Sequence, residues 1–220
     1  MANKKCIIRL LRYKSALHRL HGLGFVKVFS DNLADAVGVT ASQVRKDFSM
    51  FGISGNKRGG YQIEGLLEKL NGIMGKNELQ KVVIVGAGNI GTALMKYKGF
   101  EKEGIRIAGC FDIDPAKHAL PKGTDIPVLP LEALKDFVRQ HKIKIGIIAV
   151  PDVAAQQVLD MMAAAGIKGV LNFAPLRLKG SEDIFINNVN LILELETVIY
   201  FIISGLAKNI SEMNEDDKPE

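Results

Sequence analysis

The sequence predicts an α/β protein with two domains and a separate C-terminal helix. Three observations support this prediction: a glycine-rich turn that joins an apolar strand to a helix near residue 86, apolar strands that alternate with helices downstream, and a basic helical stretch upstream. Strands that alternate with helices form parallel sheets covered by helices on both faces. We therefore expect a doubly wound parallel sheet, preceded by a small helical domain.

The glycine-rich turn follows the apolar run 81–85 and has the spacing G-x-G-x-x-G. The first glycine permits a tight turn, the second lets a pyrophosphate approach the backbone, and the third lets the helix pack against the strand. The helix N-terminus then offers unpaired N–H groups to the anion. These features are typical of a Rossmann-type sheet that binds NAD(H). The predicted contacts in this turn are Gly86, Ala87, Gly88, Asn89, Ile90 and Gly91.

An acidic residue, Asp112, ends the next apolar strand, 21 residues after Gly91. From this position a carboxylate accepts hydrogen bonds from the ribose of an adenosine. Because a carboxylate repels a 2′-phosphate, Asp112 favours NAD(H) over its 2′-phosphorylated form. We therefore add Asp112 to the predicted cofactor-binding residues.

Two further loops are expected to lie near the dinucleotide, because ligands of doubly wound sheets bind at the carboxyl ends of the strands. These loops begin at the ends of the apolar strands 145–150 and 169–173. We expect them to surround the nicotinamide half of the cofactor. Their residues are Val150, Pro151, Asn172, Phe173, Ala174 and Pro175.

Catalytic groups are missing from these predicted loops. The four histidines, His18, His21, His118 and His141, all lie elsewhere in the sequence. No cluster of metal-ligand spacing is present, and the two cysteines, Cys6 and Cys110, are far apart. The sequence therefore predicts a nucleotide sensor without catalytic residues or a metal, and the alternative is a small NAD-dependent oxidoreductase with an accessory basic domain.

The charge is distributed unevenly along the chain. Residues 1–76 contain 13 Lys and Arg against 5 Asp and Glu, a net charge of +8, whereas the remaining residues carry 16 against 19, or −3. A basic domain joined to a mildly acidic one is typical of a nucleic-acid binder. No signal peptide is recognisable, and the cysteine usage fits a reducing cytoplasm.

A helix-turn-helix is predicted within the basic region. Ser30 is the expected N-cap of a helix over 31–37, which Gly38 ends, and Thr40 is the expected N-cap of the next helix, through Phe48. The polar face of the latter carries side chains that can reach bases and phosphates: Ser42, Gln43, Arg45 and Lys46. The glycine-rich segment 51–61 then predicts a wing, whose basic residues Lys57 and Arg58 enter a minor groove.

The C-terminal segment 190–208 is apolar on nearly every face. Glu194 and Glu196 argue against a membrane span, because a carboxylate is costly in hydrocarbon. We therefore expect a helix buried in a second copy of the chain. The predicted organisation is a winged-helix DNA-binding domain at 1–76, a Rossmann NAD(H)-binding domain at 78–189, a dimerisation helix at 190–209 and a disordered acidic tail at 210–220.

Together these motifs resemble the Rex family of bacterial redox-sensing transcriptional repressors. The most specific runs are 41–47, 85–91, 111–115 and 166–175, and the resemblance extends from about Arg9 to Ile203. It implies a homodimer with a domain-swapped C-terminal helix, which binds double-stranded operator DNA while NAD⁺ dominates and releases it when NADH binds. It also implies that Tyr97 approaches the nicotinamide and that Gln43, Arg45 and Lys46 contact DNA.

The chain departs from the family pattern at two charged positions. The family usually has an Asp before the swapped helix, which pairs across the dimer with an Arg of the first helix or with the nicotinamide-side Tyr. In this chain the position of the Asp falls on Asn190, and the position of the Arg falls on Ser15. We expect a weaker or differently routed response to NADH. A third interpretation is a DNA-binding protein whose Rossmann domain has lost its nucleotide, although the intact glycines and Asp112 argue against it.

Overall fold

The computed structural model describes residues 4–55, 59–75, 78–117 and 122–204. The chain divides into two compact units between Glu78 and Leu79. The predicted wing residues Lys57 and Arg58, the linker at 76–77, His118 and the tail beyond Ser204 lie outside the described residues.

Four helices and a two-stranded sheet form the described part of the first unit. The helices are α1 (Lys4–Gly22), α2 (Ser30–Val37), α3 (Ala41–Ser49) and α4 (Ile63–Ile73). The antiparallel strands are β1 (Lys27–Val28) and β2 (Tyr61–Gln62). The end of the predicted wing segment therefore pairs with the strand that precedes α2. One buried core joins these elements, and its largest members are Leu10, Tyr13, Leu17, Leu33, Phe48, Ile63 and Leu70.

The helix-turn-helix is present, with one corrected boundary. The Thr40 hydroxyl accepts a hydrogen bond from the Gln43 N–H at 3.1 Å, which confirms the predicted cap of α3. The predicted cap at Ser30 is wrong, because α2 already includes Ser30 and its N-cap residue is Phe29. The Asn32 side chain accepts the Phe29 N–H at 3.1 Å and so stabilises this earlier start.

Six parallel strands form the sheet of the second unit, which confirms the predicted doubly wound architecture. They are β3 (Gln80–Val85), β4 (Ile105–Asp112), β5 (Val128–Pro130), β6 (Ile145–Ile148), β7 (Gly169–Asn172) and β8 (Phe185–Asn188). Their order is β5-β4-β3-β6-β7-β8. The first strand of this sheet, β3, is therefore central, and the strand order reverses between β3 and β6, where such sheets bind ligands.

Helices cover both faces of this sheet. They are α5 (Asn89–Met95), α6 (Gly99–Lys102), α7 (Leu134–Gln140) and α8 (Asp152–Ala165), and a further helix, α9 (Leu191–Ile203), follows the last strand. Alternate residues of β3 point to opposite faces: Val83 and Val85 pack with α7 and α8, whereas Val82 and Ile84 pack with Met95 of α5. Cys110 lies in the latter cluster, where burial raises the pKa of its thiol to about 12. It is a protonated core residue.

Helix α9 differs from the others because none of its residues is buried within the described chain. Its apolar side chains are exposed by up to 80%, at Ile203. Asn190 is its N-cap, and the side-chain Oδ1 accepts the N–H groups of Ile192 and Leu193, each at 3.1 Å. Across the described residues, no helix is both long and apolar enough to cross a membrane.

Two glycines of the turn after β3 are required by packing. Gly86 has φ +105°, and a Cβ atom there would overlap the carbonyl group of Ala149 at the end of β6. A Cβ atom on Gly91 would overlap the carbonyl oxygen of Gly86. At Gly88, by contrast, a Cβ atom would meet no heavy atom within 4 Å. The first and third glycines of the turn therefore pack directly against other backbone atoms, whereas the second glycine faces open space.

We expect Gly91→Ala to destabilise the protein by about 1–3 kcal/mol, because helix α5 must move away from β3 to accommodate the methyl group. Gly88→Ala is the matched control, since its space is open and its φ of −73° suits alanine. Thermal unfolding followed by circular dichroism measures both variants. Equal melting temperatures for Gly91→Ala and Gly88→Ala would contradict the assigned packing.

Candidate functional site

The glycine-rich turn is attached to the end of the neighbouring strand β4. The N–H of Gly86 donates to the carbonyl of Phe111 at 2.8 Å, and the N–H of Ala87 donates to Oδ2 of Asp112 at 2.7 Å. Inside the turn, the Thr92 hydroxyl donates to the carbonyl of Ala87 at 3.3 Å. These bonds fix the turn on β4, with Gly88 on its open side.

Asp112 is nearly buried, with 7% of its surface exposed. Its carboxylate accepts from Ala87, from the N–H of Asp114 at 2.9 Å and from Nζ of Lys117 at 3.2 Å. Burial alone raises the pKa of Asp112, but the hydrogen bonds from Asp114, Ala87 and Lys117 outweigh it, so the pKa lies below its ordinary value. The carboxylate is therefore a fixed negative charge beside the turn.

The loop after β6 contacts the turn directly. A Cβ atom on Gly86 would lie 3.0 Å from Cγ1 of Val150, so this side chain packs against the first glycine. Ala87 and Phe173 pack against one common buried cluster, and both remain partly accessible. The structure thus brings Val150 and Phe173 to the region of the turn, as expected from the carboxyl ends of parallel strands.

The residues at the end of β7 and in the loop after it differ in accessibility. Asn172 is fully buried, and its amide donates to the carbonyls of Ala174 and Leu176 and to Oδ1 of Asn188, at 3.2, 3.0 and 2.9 Å. Its Oδ1 accepts the N–H of Ala174 at 2.9 Å. The side chain of Asn172 therefore shapes the loop and ties it to β8. Ala174 is buried as well, and Pro175 is exposed.

Tyr97 lies just beyond the C-terminal end of α5, with 60% of its surface exposed. Its ring makes an edge contact with Phe100, at 5.1 Å between ring centroids. Tyr97 also lines a cavity of about 610 Å³ beside the first half of β4. Among the described residues, those of the Asn172–Pro175 loop do not line this cavity.

The first unit presents one face of α3 to solvent. Ser42, Arg45 and Lys46 are exposed on this face, whereas Val44 and Phe48 are buried in the core. Gln43 lies at the border, half-buried, and its Nε2 donates to Oδ1 of Asp47 at 2.8 Å. Of the four DNA contacts predicted on α3, the structure therefore leaves Ser42, Arg45 and Lys46 exposed and holds Gln43 through a carboxylate.

Asp47 is the centre of a buried network that sequence reasoning missed. Arg9 of α1 donates to both of its oxygens, at 2.6 and 2.7 Å, Tyr13 donates at 3.0 Å, and the thiol of Cys6 donates at 3.4 Å. Burial alone raises the pKa of Asp47, but hydrogen bonds from Arg9, Gln43 and Tyr13 lower it below the ordinary value. The available signal was an acidic residue on the apolar side of α3, with an arginine on the apolar side of α1.

Two family models match this chain, one for each unit. The model for a putative DNA-binding protein N-terminus matches residues 4–49, and the model for a CoA binding domain matches residues 77–176. The redox-sensing transcriptional repressor Rex of Pelotomaculum thermopropionicum is 41% identical over 197 residues, which are 90% of this chain and 92% of that protein. The chain belongs to the Rex family. The Rex of Carboxydothermus hydrogenoformans is also 41% identical, over 89% of this chain and 94% of that protein.

Solved structures of a Rex-family repressor, RSP, share the fold of this Rex-family chain. RSP in complex with β-NAD⁺ and operator DNA superposes with a TM-score of 0.86 at 36% identity, covering 98% of this chain and 96% of RSP. RSP in complex with β-NADH gives a TM-score of 0.82 at the same identity, covering 99% of each chain. The similarity therefore includes the units on both sides of residue 78.

The network around Asp47 predicts a pH-dependent stability. Because its folded pKa is depressed, its ionised form stabilises the fold above the unfolded pKa of about 3.9, and this contribution is lost as the pH falls through the folded value. At pH 7 we expect Asp47→Asn to cost about 3 kcal/mol, since Arg9 loses its partner. The deficit should shrink below about pH 4.

Denaturant unfolding of wild type and variant between pH 3 and pH 7 measures this deficit. Asp35→Asn, which changes an exposed carboxylate of α2, is the matched control. A deficit for Asp47→Asn that stays constant with pH would contradict the assigned ionised state.

Proposed function

We propose that this protein is a redox-sensing transcriptional repressor, which binds operator DNA as a homodimer and releases it when NADH binds. The observation that carries the proposal is the glycine-rich turn, open at Gly88 and fixed by the ionised Asp112, in one chain with a capped, cation-bearing helix α3. The turn is suited to a dinucleotide, and α3 is suited to the major groove of DNA. A chain that contains both can couple nucleotide binding to DNA binding.

The nucleotide part of the proposal follows from the open side of the turn. A pyrophosphate placed beside Gly88 approaches the backbone without meeting a Cβ atom, while Asp112 accepts the ribose hydroxyls of the adenosine. Val150, Pro151, Phe173 and Pro175 then lie toward the nicotinamide. The ring is positively charged in NAD⁺ and neutral in NADH, so an apolar surface of this kind disfavours the oxidised form by desolvation.

The DNA part follows from the exposed face of α3. Arg45 and Lys46 are exposed and are proposed to contact phosphates and bases, and Ser42 lies beside the helix N-terminus. Lys57 and Arg58 are proposed to extend this contact into the neighbouring minor groove. The net charge of +8 over residues 1–76 supplies long-range attraction to DNA.

The dimer is proposed from helix α9. Its apolar side chains are exposed in the single chain, and a surface of this kind is stabilised when it is buried in a partner. A second copy that exchanges this helix buries the apolar faces of both copies. Asn190 starts α9 as a neutral cap, so the helix begins without the carboxylate that the family usually has there.

We further propose that the protein is a regulator and not an enzyme. Three histidines are described. His18 and His21 belong to α1 of the first unit, where His21 faces Glu64 at 3.3 Å, and His141 packs on the ring of Phe137. None of the three lies at the carboxyl ends of the strands, where a proton donor for hydride transfer would be needed. The geometry therefore supports binding and sensing better than the alternative oxidoreductase.

Asp112→Ala is expected to weaken NADH binding about 10-fold to 100-fold, because the ribose and the turn both lose a charged hydrogen-bond acceptor. Operator binding without nucleotide should change little. Isothermal titration with NADH and NAD⁺ measures the first effect. Asp114→Ala is the control, since its exposed carboxylate accepts only locally, from the N–H of Ala116. Unchanged NADH affinity in Asp112→Ala would remove this residue from the site.

Arg45→Ala is expected to weaken operator binding and to reduce the slope of log K against log[salt] by about 1 if Arg45 contacts a phosphate. Fluorescence anisotropy of a labelled duplex, titrated at several salt concentrations, measures the slope. The control is Arg139→Ala, an exposed arginine of α7 in the second unit. If both variants keep the wild-type affinity and slope, α3 does not bind DNA through Arg45.

A further inference from the structure

We propose that Asp47 and Arg9 are positioning residues for base recognition, which hold the side-chain amide of Gln43 in one orientation at the DNA-facing edge of α3. The inference rests on the proposed function and adds to it a determinant of sequence preference. It assigns a role in DNA reading to an arginine of α1, a helix that presents none of the predicted DNA contacts.

The geometry begins with the spacing of Gln43 and Asp47. They are four residues apart and therefore lie on one side of α3. Nε2 of Gln43 is 2.8 Å from Oδ1 of Asp47. Asp47 is fully buried, whereas Gln43 is only partly covered. The amide thus spans from the buried carboxylate to the exposed face that carries Ser42 and Lys46.

This contact fixes which way the amide of Gln43 points. An ionised carboxylate accepts hydrogen bonds but cannot donate them, so the amide nitrogen must face Asp47. A rotation of the amide by 180° would place Oε1 against the carboxylate, acceptor against acceptor. Gln43 therefore keeps one defined arrangement, in which Oε1 and the second N–H remain for a ligand.

The carboxylate itself is prevented from turning toward DNA. Arg9 donates to both oxygens of Asp47 in a bidentate pair, and Tyr13 donates to Oδ2 at 3.0 Å. Bidentate pairing restricts orientation as well as distance. Arg9 lies 38 residues before Asp47 in the sequence, so the position of α1 determines the orientation of a side chain on α3.

An acceptor and a donor side by side match the major-groove edge of adenine, which offers N6–H₂ and N7. Guanine offers two acceptors at the same place and rejects this arrangement. A freely rotating glutamine adapts its amide to other neighbours, whereas one held by Asp47 does not. We expect Gln43 to select an A·T pair, and Asp47 with Arg9 to sharpen that selection.

The experiment uses the full-length protein and DNA selected by it from a random duplex library. Gln43→Ala identifies the base pair that depends on Gln43, at which the preference for A·T over G·C should fall about tenfold. Arg9→Lys keeps the positive charge but loses the bidentate geometry, and should reduce the preference at this same base pair severalfold. In the Gln43→Ala background, Arg9→Lys should change that preference no further.

The double-mutant cycle distinguishes positioning from a merely structural role. The inference would be overturned if Arg9→Lys reduced the A·T preference equally in the wild-type and Gln43→Ala backgrounds. It would also be overturned if Arg9→Lys alone left the preference unchanged. Thermal unfolding and the salt slope are measured for each variant, and Tyr13→Phe serves as a second, milder perturbation of Asp47 should Arg9→Lys fail to fold. A wild-type protein that selects no sequence would instead contradict the proposed function itself.

Discussion

The second unit depends on the close approach of α5 to β3. The backbone of the turn lies so near to β6 and to its own helix that side chains are excluded at Gly86 and Gly91. Asp112 then closes the arrangement by accepting the N–H of Ala87 across the gap between β3 and β4. An interior packed this tightly transmits small displacements, because its side chains have no free space to absorb them.

Both units use a buried carboxylate in the same physical way. Asp112 joins the glycine-rich turn to β4, and Asp47 joins α3 to α1. In each case hydrogen bonds outweigh the cost of burial and keep the group ionised. Buried pairs of this kind contribute less to net stability than to the choice of one arrangement, which we take to be their role here.

Much of the fold follows from local sequence patterns. Apolar runs bounded by turns located β3, β4, β6 and β7, and the glycine spacing located the turn, because both depend on short-range geometry. Strand β8 was missed since its sequence, Phe-Ile-Asn-Asn, lacks an apolar run and its pairing with β7 is a tertiary contact. The predicted cap at Ser30 is one residue too late, because the side chain of Asn32 accepts the N–H of Phe29 and so stabilises an earlier helix start.

The candidate sites were predictable in type but not in detail. Gly88 and Asp112 follow from a motif, whereas the burial of Asn172 depends on hydrogen bonds to β8, which the sequence does not predict. Asp47 and Arg9 are 38 residues apart, and no local pattern pairs them. Binding residues that belong to a motif of fixed spacing can be predicted from the sequence. Residues that hold another side chain in place are identified only from the three-dimensional structure.

We propose that nucleotide binding by the second unit controls DNA binding by the first. The most direct test of this proposal is the fluorescence anisotropy of a labelled operator duplex bound to the wild-type protein, titrated with NADH and separately with NAD⁺. A coupling of this kind requires the ligand to bind the two states of the dimer with different affinity. We expect NADH to release the duplex at concentrations where NAD⁺ leaves it bound. Equal release by both nucleotides, or release by neither, would show that the protein does not sense the redox state of the nucleotide.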